Sequence, residues 1–157
     1  MALLEATDIL DLAMQLEKNG EAFYRAVAGT ARSREIRELL VDLAEQEVKH
    51  YATFQRLASS RGEKQWMTDE EWADYLKYLR TTVQSTFFEG KDKALASARE
   101  VKDEKEALRM AIAFEKETLL FFYDLRDAVP AVHRTLVNTI VNEEKSHIVR
   151  LAALLQS

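Results

Sequence analysis

Apolar residues recur at three- and four-residue spacing through most of the chain, which carries one Pro and four Gly, and this pattern predicts an all-α fold. Four long helices account for it. Helix A is expected from about residue 7, with Thr7 as N-cap, to about residue 28, and the stretch from Gly29 to Ser33 supplies a short turn. Helix B follows over about residues 34–58. Ser59, Ser60, Arg61 and Gly62 then open a connection that runs to residue 102, too long for a bare loop, so it must contain structure of its own. Thr68 followed three residues later by Glu71 reads as a capping box. Trp72, Tyr75, Leu76 and Leu79 then give a short amphipathic helix before Gly90 breaks the pattern. Helix C starts near Asp103, with Glu106 at its third helical position, and runs to about residue 128; Pro130 suits the first turn of helix D, which continues to about 155. Two antiparallel hairpins, 7–58 and 103–155, are thus joined by a crossover, 59–102, long enough to traverse a bundle, which places helices B and C parallel within one domain of residues 1–157.

The second half of the chain repeats the first. At an offset of 98 residues Ala13 pairs with Ala111, Glu17 with Glu115, Lys18 with Lys116 and Phe23 with Phe121; at 97, Glu47 pairs with Glu144 and His50 with His147. Each hairpin therefore offers one Glu on its first helix and a Glu-x-x-His on its second. Residues three apart share a helical face, so one ion can meet both side chains of that motif.

These glutamates stand where apolar residues belong. Leu40, Leu43, Ala44, Tyr51 and Phe54 flank Glu47 at helical spacing, and Val137, Ile140, Val141, Ile148 and Leu151 flank Glu144. Glu115 is enclosed by Leu108, Ala111, Ile112, Leu119 and Phe122, and Glu17 by Leu10, Ala13, Met14, Gly20 and Tyr24. Burying four carboxylates unpaired costs several kcal/mol each, so a cation must compensate. At ~1.5 Å per residue all four lie roughly 20 Å from their turns, at a common level where they can meet. Four oxygen-donor Glu and two nitrogen-donor His make a ligand set for two first-row transition metal ions, with iron or manganese favoured.

Other residues compete with this set. Glu117 also has apolar neighbours, and only the repeat register prefers Glu115 over it. Tyr24, Tyr51 and Tyr123 are either core aromatics or hydrogen-bond donors to the carboxylates. Glu21, Glu45 and Glu143 have charged or polar neighbours and read as solvated, and His133, close to a helix start, as a surface residue.

Composition narrows the chemistry. With 22 Lys plus Arg against 27 Asp plus Glu, the net charge of −5 argues against a nucleic-acid footprint or adhesion to an anionic membrane. The absence of Cys removes disulfides, catalytic thiols, zinc ribbons and cysteine-held iron–sulfur clusters, leaving carboxylate and imidazole as metal ligands. No apolar run reaches the ~20 residues of a membrane span, and a cytoplasmic protein is expected.

Glu17 through Tyr24, Glu47-Val48-Lys49-His50, Glu115 and Glu144-Lys145-Ser146-His147 resemble the ferritin-like superfamily, and within it the rubrerythrin-type diiron domain. The resemblance implies two iron ions, manganese or a mixed pair being alternatives. Glu17 and Glu115 would be terminal ligands, Glu47 and Glu144 bridging ligands, His50 and His147 the nitrogen ligands, and Tyr24 a hydrogen-bonding support. Two departures stand out: rubrerythrins carry a further Glu three residues after the helix C ligand, where this chain has Thr118, and usually a cysteine-bound rubredoxin iron, for which it has no Cys. The expected function is reduction of dioxygen or hydrogen peroxide with electrons from an external donor; ferroxidase or iron-handling activity is the alternative, and a metal-free helical interaction module a remote one. Trp66, Trp72, Tyr75, Tyr78, Phe87 and Phe88 concentrate aromatics in the crossover, as packing against the bundle or as a homodimer interface.

Overall fold

Asp8 opens the first long helix, its carboxylate accepting from the backbone N–H of Leu10 at 2.8 Å and of Asp11 at 3.1 Å. Thr7, expected as the cap, lies outside the residues the computed structural model describes, which are 8–60, 66–82 and 89–157. These form six helices: α1 (Ile9–Thr30), α2 (Arg34–Ser60), α3 (Asp69–Thr82), α4 (Lys91–Glu100), α5 (Glu104–Ala128) and α6 (Ala131–Gln156). The α1–α2 and α5–α6 pairs are tightly packed hairpins.

Helix direction follows from the ties between hairpins. Glu104, first residue of α5, accepts from the backbone N–H of Arg32 at 2.5 Å and of Ser33 at 2.8 Å in the α1–α2 turn. The starts of α2 and α5 therefore share one end of the bundle, and those helices run parallel. Between α2 and α6, Asp42 pairs with Arg150, Gln46 with His147 and His50 with Glu143, the steady counter-progression of antiparallel neighbours.

The crossover holds more structure than its periodicity predicts. Thr68 and Glu71 form the capping box, with Thr68 N–H donating to the Glu71 carboxylate at 2.7 Å and Glu71 N–H to Thr68 Oγ1 at 3.2 Å. Tyr75 of α3 donates to Asp124 Oδ2 at 2.8 Å and its ring lies tilted 6.2 Å from that of Phe121, so this aromatic cluster packs on α5, while Tyr78 is exposed. Phe87 and Phe88 lie outside the described residues. Gly90 does not end the structure: at φ 125°, a backbone state that disfavours L side chains, it caps the start of the additional helix α4, which lies along α1 through Ala94, Ser97 and Ala98. Pro130 likewise precedes α6 as its N-cap instead of lying inside the first turn.

The core joins all four long helices. Phe23, Phe54, Phe114, Phe121 and Phe122 are essentially inaccessible, each stabilising the fold by roughly 1.5–3 kcal/mol. Among the described residues no helix is long and apolar enough to cross a membrane.

Candidate metal centre

The same apolar stripes bury Glu17, Glu47, His50, Glu115, Glu144 and His147, none more than 3% exposed. All six donors named from the sequence come together. Ligand atoms of Glu17, Glu47, His50 and Glu144 lie within 4.8 Å of one another, as do those of Glu47, Glu115, Glu144 and His147. Glu47 and Glu144 belong to both groups, so the geometry offers two adjacent positions with two shared carboxylates.

Each imidazole turns Nδ1 inward. His50 Nδ1 is 2.9 Å from Glu144 Oε1 and 3.7 Å from Glu17 Oε2. His147 Nδ1 is 2.9 Å from Glu144 Oε2, 3.4 Å from Glu115 Oε1 and 3.6 Å from Glu47 Oε1. The two rings lie nearly parallel, 5.8 Å apart. Despite these short approaches, both Nδ1 atoms, both oxygens of Glu17 and of Glu144, Glu47 Oε1 and Glu115 Oε2 are buried without an aligned hydrogen bond. Native interiors rarely leave such groups unsatisfied. Donor atoms crowded around common points but not aimed at one another are what a pair of metal ions requires, and the residue types fit iron or manganese.

Outward, Nε2 of His50 meets Glu143 Oε2 at 2.7 Å, and Nε2 of His147 meets Gln46 Oε1 at 3.0 Å. Such partners fix the ring and leave the inward nitrogen free to ligate. Glu143, expected to be solvated, is 47% exposed and still makes this contact, because it sits on the α6 edge facing α2. Sequence reasoning missed Gln46 altogether; its signal was the repeat, since 46 and 143 share the offset of 97 that relates the histidines.

Of the three tyrosines, Tyr24 reaches the cluster, donating its hydroxyl to Glu115 Oε1. Tyr51 lies beneath Lys18, and Tyr123 beneath Arg126 and Lys145. Glu117 and His133 take no part in either donor group, and His133 lies at the start of α6 near Trp66. A side chain at Gly20 would crowd the cluster: an added Cβ would stand 3.0 Å from the Phe114 ring and 3.4 Å from the Glu47 carboxylate. Thr118, one turn after Glu115, is buried with Oγ1 unpartnered, whereas Thr53 and Thr139 bond the carbonyl four residues back.

Ionisable groups buried this close together shift one another strongly. Burial, reinforced by neighbouring carboxylates, pushes Glu17 and Glu47 well above the usual carboxylate range. Burial and then the charge of Glu144 take Glu115 to about 8. Burial works against the ionisation of Glu144 too, but His147 and His50 hold it well below that range. Burial alone would depress the imidazoles; Glu144 instead carries His50 to about 9, and Glu115 with Glu144 carry His147 to about 10. Without metal the cluster therefore retains protons that metal ions would displace.

A structure of a putative ferritin-like diiron-carboxylate protein from Thermotoga maritima is similar to this chain, with 25% identity and a TM-score of 0.65, over 100% of this chain and 96% of that one. No curated protein matches. The family model described as Rubrerythrin matches residues 8–155, which span all four long helices and every donor of the cluster. This chain belongs to the rubrerythrin family.

Proposed function

We propose that the protein is a diiron-carboxylate oxidoreductase that reduces dioxygen or hydrogen peroxide with electrons from an external donor. The observation that carries this reading is the pair of donor groups sharing Glu47 and Glu144 in a closed apolar core. Glu17 with His50 would complete one position and Glu115 with His147 the other. When bound, two iron ions supply the redox equivalents, and six protein donors leave them room for an exogenous ligand.

The chain's own part is to hold and to shield. Gln46 and Glu143 orient the imidazoles, and Tyr24 orients Glu115 and holds a proton beside it; burial, then the charge of Glu115, push that hydroxyl well above its ordinary range. Phe54, Phe114 and Phe122 close the core and limit access of water. Thr118 stands where a further carboxylate would bring another ligand, which favours an open position at the centre. The 157 residues include no Cys to hold an iron that would feed electrons in, and the reading assigns that role to an external donor.

Mixing the reduced, iron-loaded protein with hydrogen peroxide or with dioxygen, each with and without excess Fe(II), tests the reading. Rapid oxidation of the centre by either oxidant, and turnover when an artificial electron donor is added, is the expected result. Turnover that proceeds only with excess Fe(II) would assign the protein to iron handling instead.

A further inference from the structure

The internal repeat makes the two donor groups equivalent, but the layer around them is not. Behind His50 stands a carboxylate, Glu143, at 2.7 Å; behind His147, at the same repeat position, stands a neutral amide, Gln46, at 3.0 Å. The amide is fixed in that sense because its nitrogen donates to Asp42 Oδ2 at 3.1 Å, and Asp42 is in turn paired with Arg150 at 2.7 Å. The repeat mates of Asp42 and Arg150 are Thr139 and Thr53, so the other hairpin has no such chain. The terminal carboxylates differ in the same direction. Glu115 gives up Oε1 to the Tyr24 hydroxyl, whereas neither oxygen of Glu17 has an aligned hydrogen bond from outside the donor groups, and the repeat mate of Tyr24 is Phe122, which has no hydroxyl.

A carboxylate bonded to the outer N–H of an imidazole makes the inner nitrogen a stronger donor, and a neutral amide does so much less. A hydrogen bond donated to a carboxylate oxygen withdraws charge from the metal it would face. Both effects strengthen the Glu17–His50 position and weaken the Glu115–His147 position.

We propose that the two metal positions of this chain are unequal, the Glu17–His50 position retaining its ion and the Glu115–His147 position exchanging it, with Glu143, Gln46 and Tyr24 as the positioning residues that set the difference. This rests on the two-metal reading above. Its consequence is a protein that keeps one ion under metal limitation and gains or loses the second with supply.

Titration of the full-length, metal-stripped protein with Co(II), followed by calorimetry and visible absorbance, tests it without any activity readout. The wild type should bind in two steps. Glu115→Gln should retain the tight step and Glu17→Gln should lose it. Glu143→Gln, at an exposed position where folding is not at stake, should weaken the tight step by about 10–100-fold. Tyr24→Phe, and Gln46→Glu combined with Asp42→Asn, should strengthen the weak step. A tight step that survives Glu17→Gln and disappears in Glu115→Gln would overturn the assignment, as would outer-partner variants that leave both steps unmoved. Failure of the wild type to bind Co(II) at all would overturn the two-metal reading itself, a result distinct from two ions bound alike.

Discussion

Raising the pH from 6.5 to 8 should destabilise the metal-free protein while leaving the metal-loaded protein at least as stable. In the folded chain without metal, His50 titrates at about 9, His147 at about 10 and Glu115 at about 8, against ordinary values of 6.5, 6.5 and 4.5. The folded state thus holds protons across that window that the unfolded state has released. The imidazolium contribution is complete below 6.5 and is lost as the pH climbs towards about 9 and 10; the advantage of a protonated Glu115 declines over the same climb towards about 8. Glu144 acts in the opposite sense, but its contribution is lost only as the pH falls below the ordinary carboxylate value of 4.5, outside the window. With these three groups the folded state holds roughly two more protons than the unfolded state across the window, which costs about 3 kcal/mol per pH unit, or ~4 kcal/mol from pH 6.5 to 8. In a domain of this size that lowers the melting temperature by roughly 8–16 °C. Thermal melts by circular dichroism, in chelator and after metal loading, read the effect. Glu115→Gln, which has no such proton to lose, should flatten the slope. A melting temperature in chelator that is constant or rises from pH 6.5 to 8 would show that the folded cluster holds no such protons.

Glu47→Gln or Glu144→Gln should remove both ions, because both donor groups use these carboxylates, whereas Glu17→Gln or Glu115→Gln should leave about one ion per chain; equal metal loss in all four variants would leave no basis for bridging. Gly20→Ala should weaken metal binding by displacing Glu47, offsetting the ~1 kcal/mol that Ala gains in a helix; a stabilised variant with unchanged metal affinity would show that the close approach has no role. A homodimer that buries the aromatic crossover, with Tyr78 exposed on α3, should sediment at twice the chain mass at micromolar concentration; a monomer there removes the interface and leaves the metal centre untouched.

The long helices and the six converging donors were legible because both rest on spacing within one helix. A Glu in a stripe of Leu, Ile and Phe is conspicuous, and the repeat of Glu47 and His50 in Glu144 and His147 set the register that favoured Glu115 over Glu117. Helix α4 was not legible. Its buried side is only Ala94, Ser97 and Ala98, too small to raise an amphipathic signal, so Gly90 read as a breaker when it is in fact a cap. The partners of the imidazoles escaped for another reason. Gln46 and Glu143 act across the α2–α6 seam, on the histidine of the other hairpin, and no single-helix pattern reports such a contact. The charged or polar neighbours of Glu143 made it look like a solvent-facing residue, and its 47% exposure shows that the two descriptions are compatible.

The proposed function requires that the buried carboxylates and imidazoles hold two metal ions. Metal analysis of the protein purified after iron-supplemented expression, paired with melting in the presence and absence of chelator, tests it most directly. About two transition metal ions per chain, and a melting temperature that falls when they are removed, is the predicted result. A chain that loads no metal and melts at the same temperature with or without chelator would contradict it.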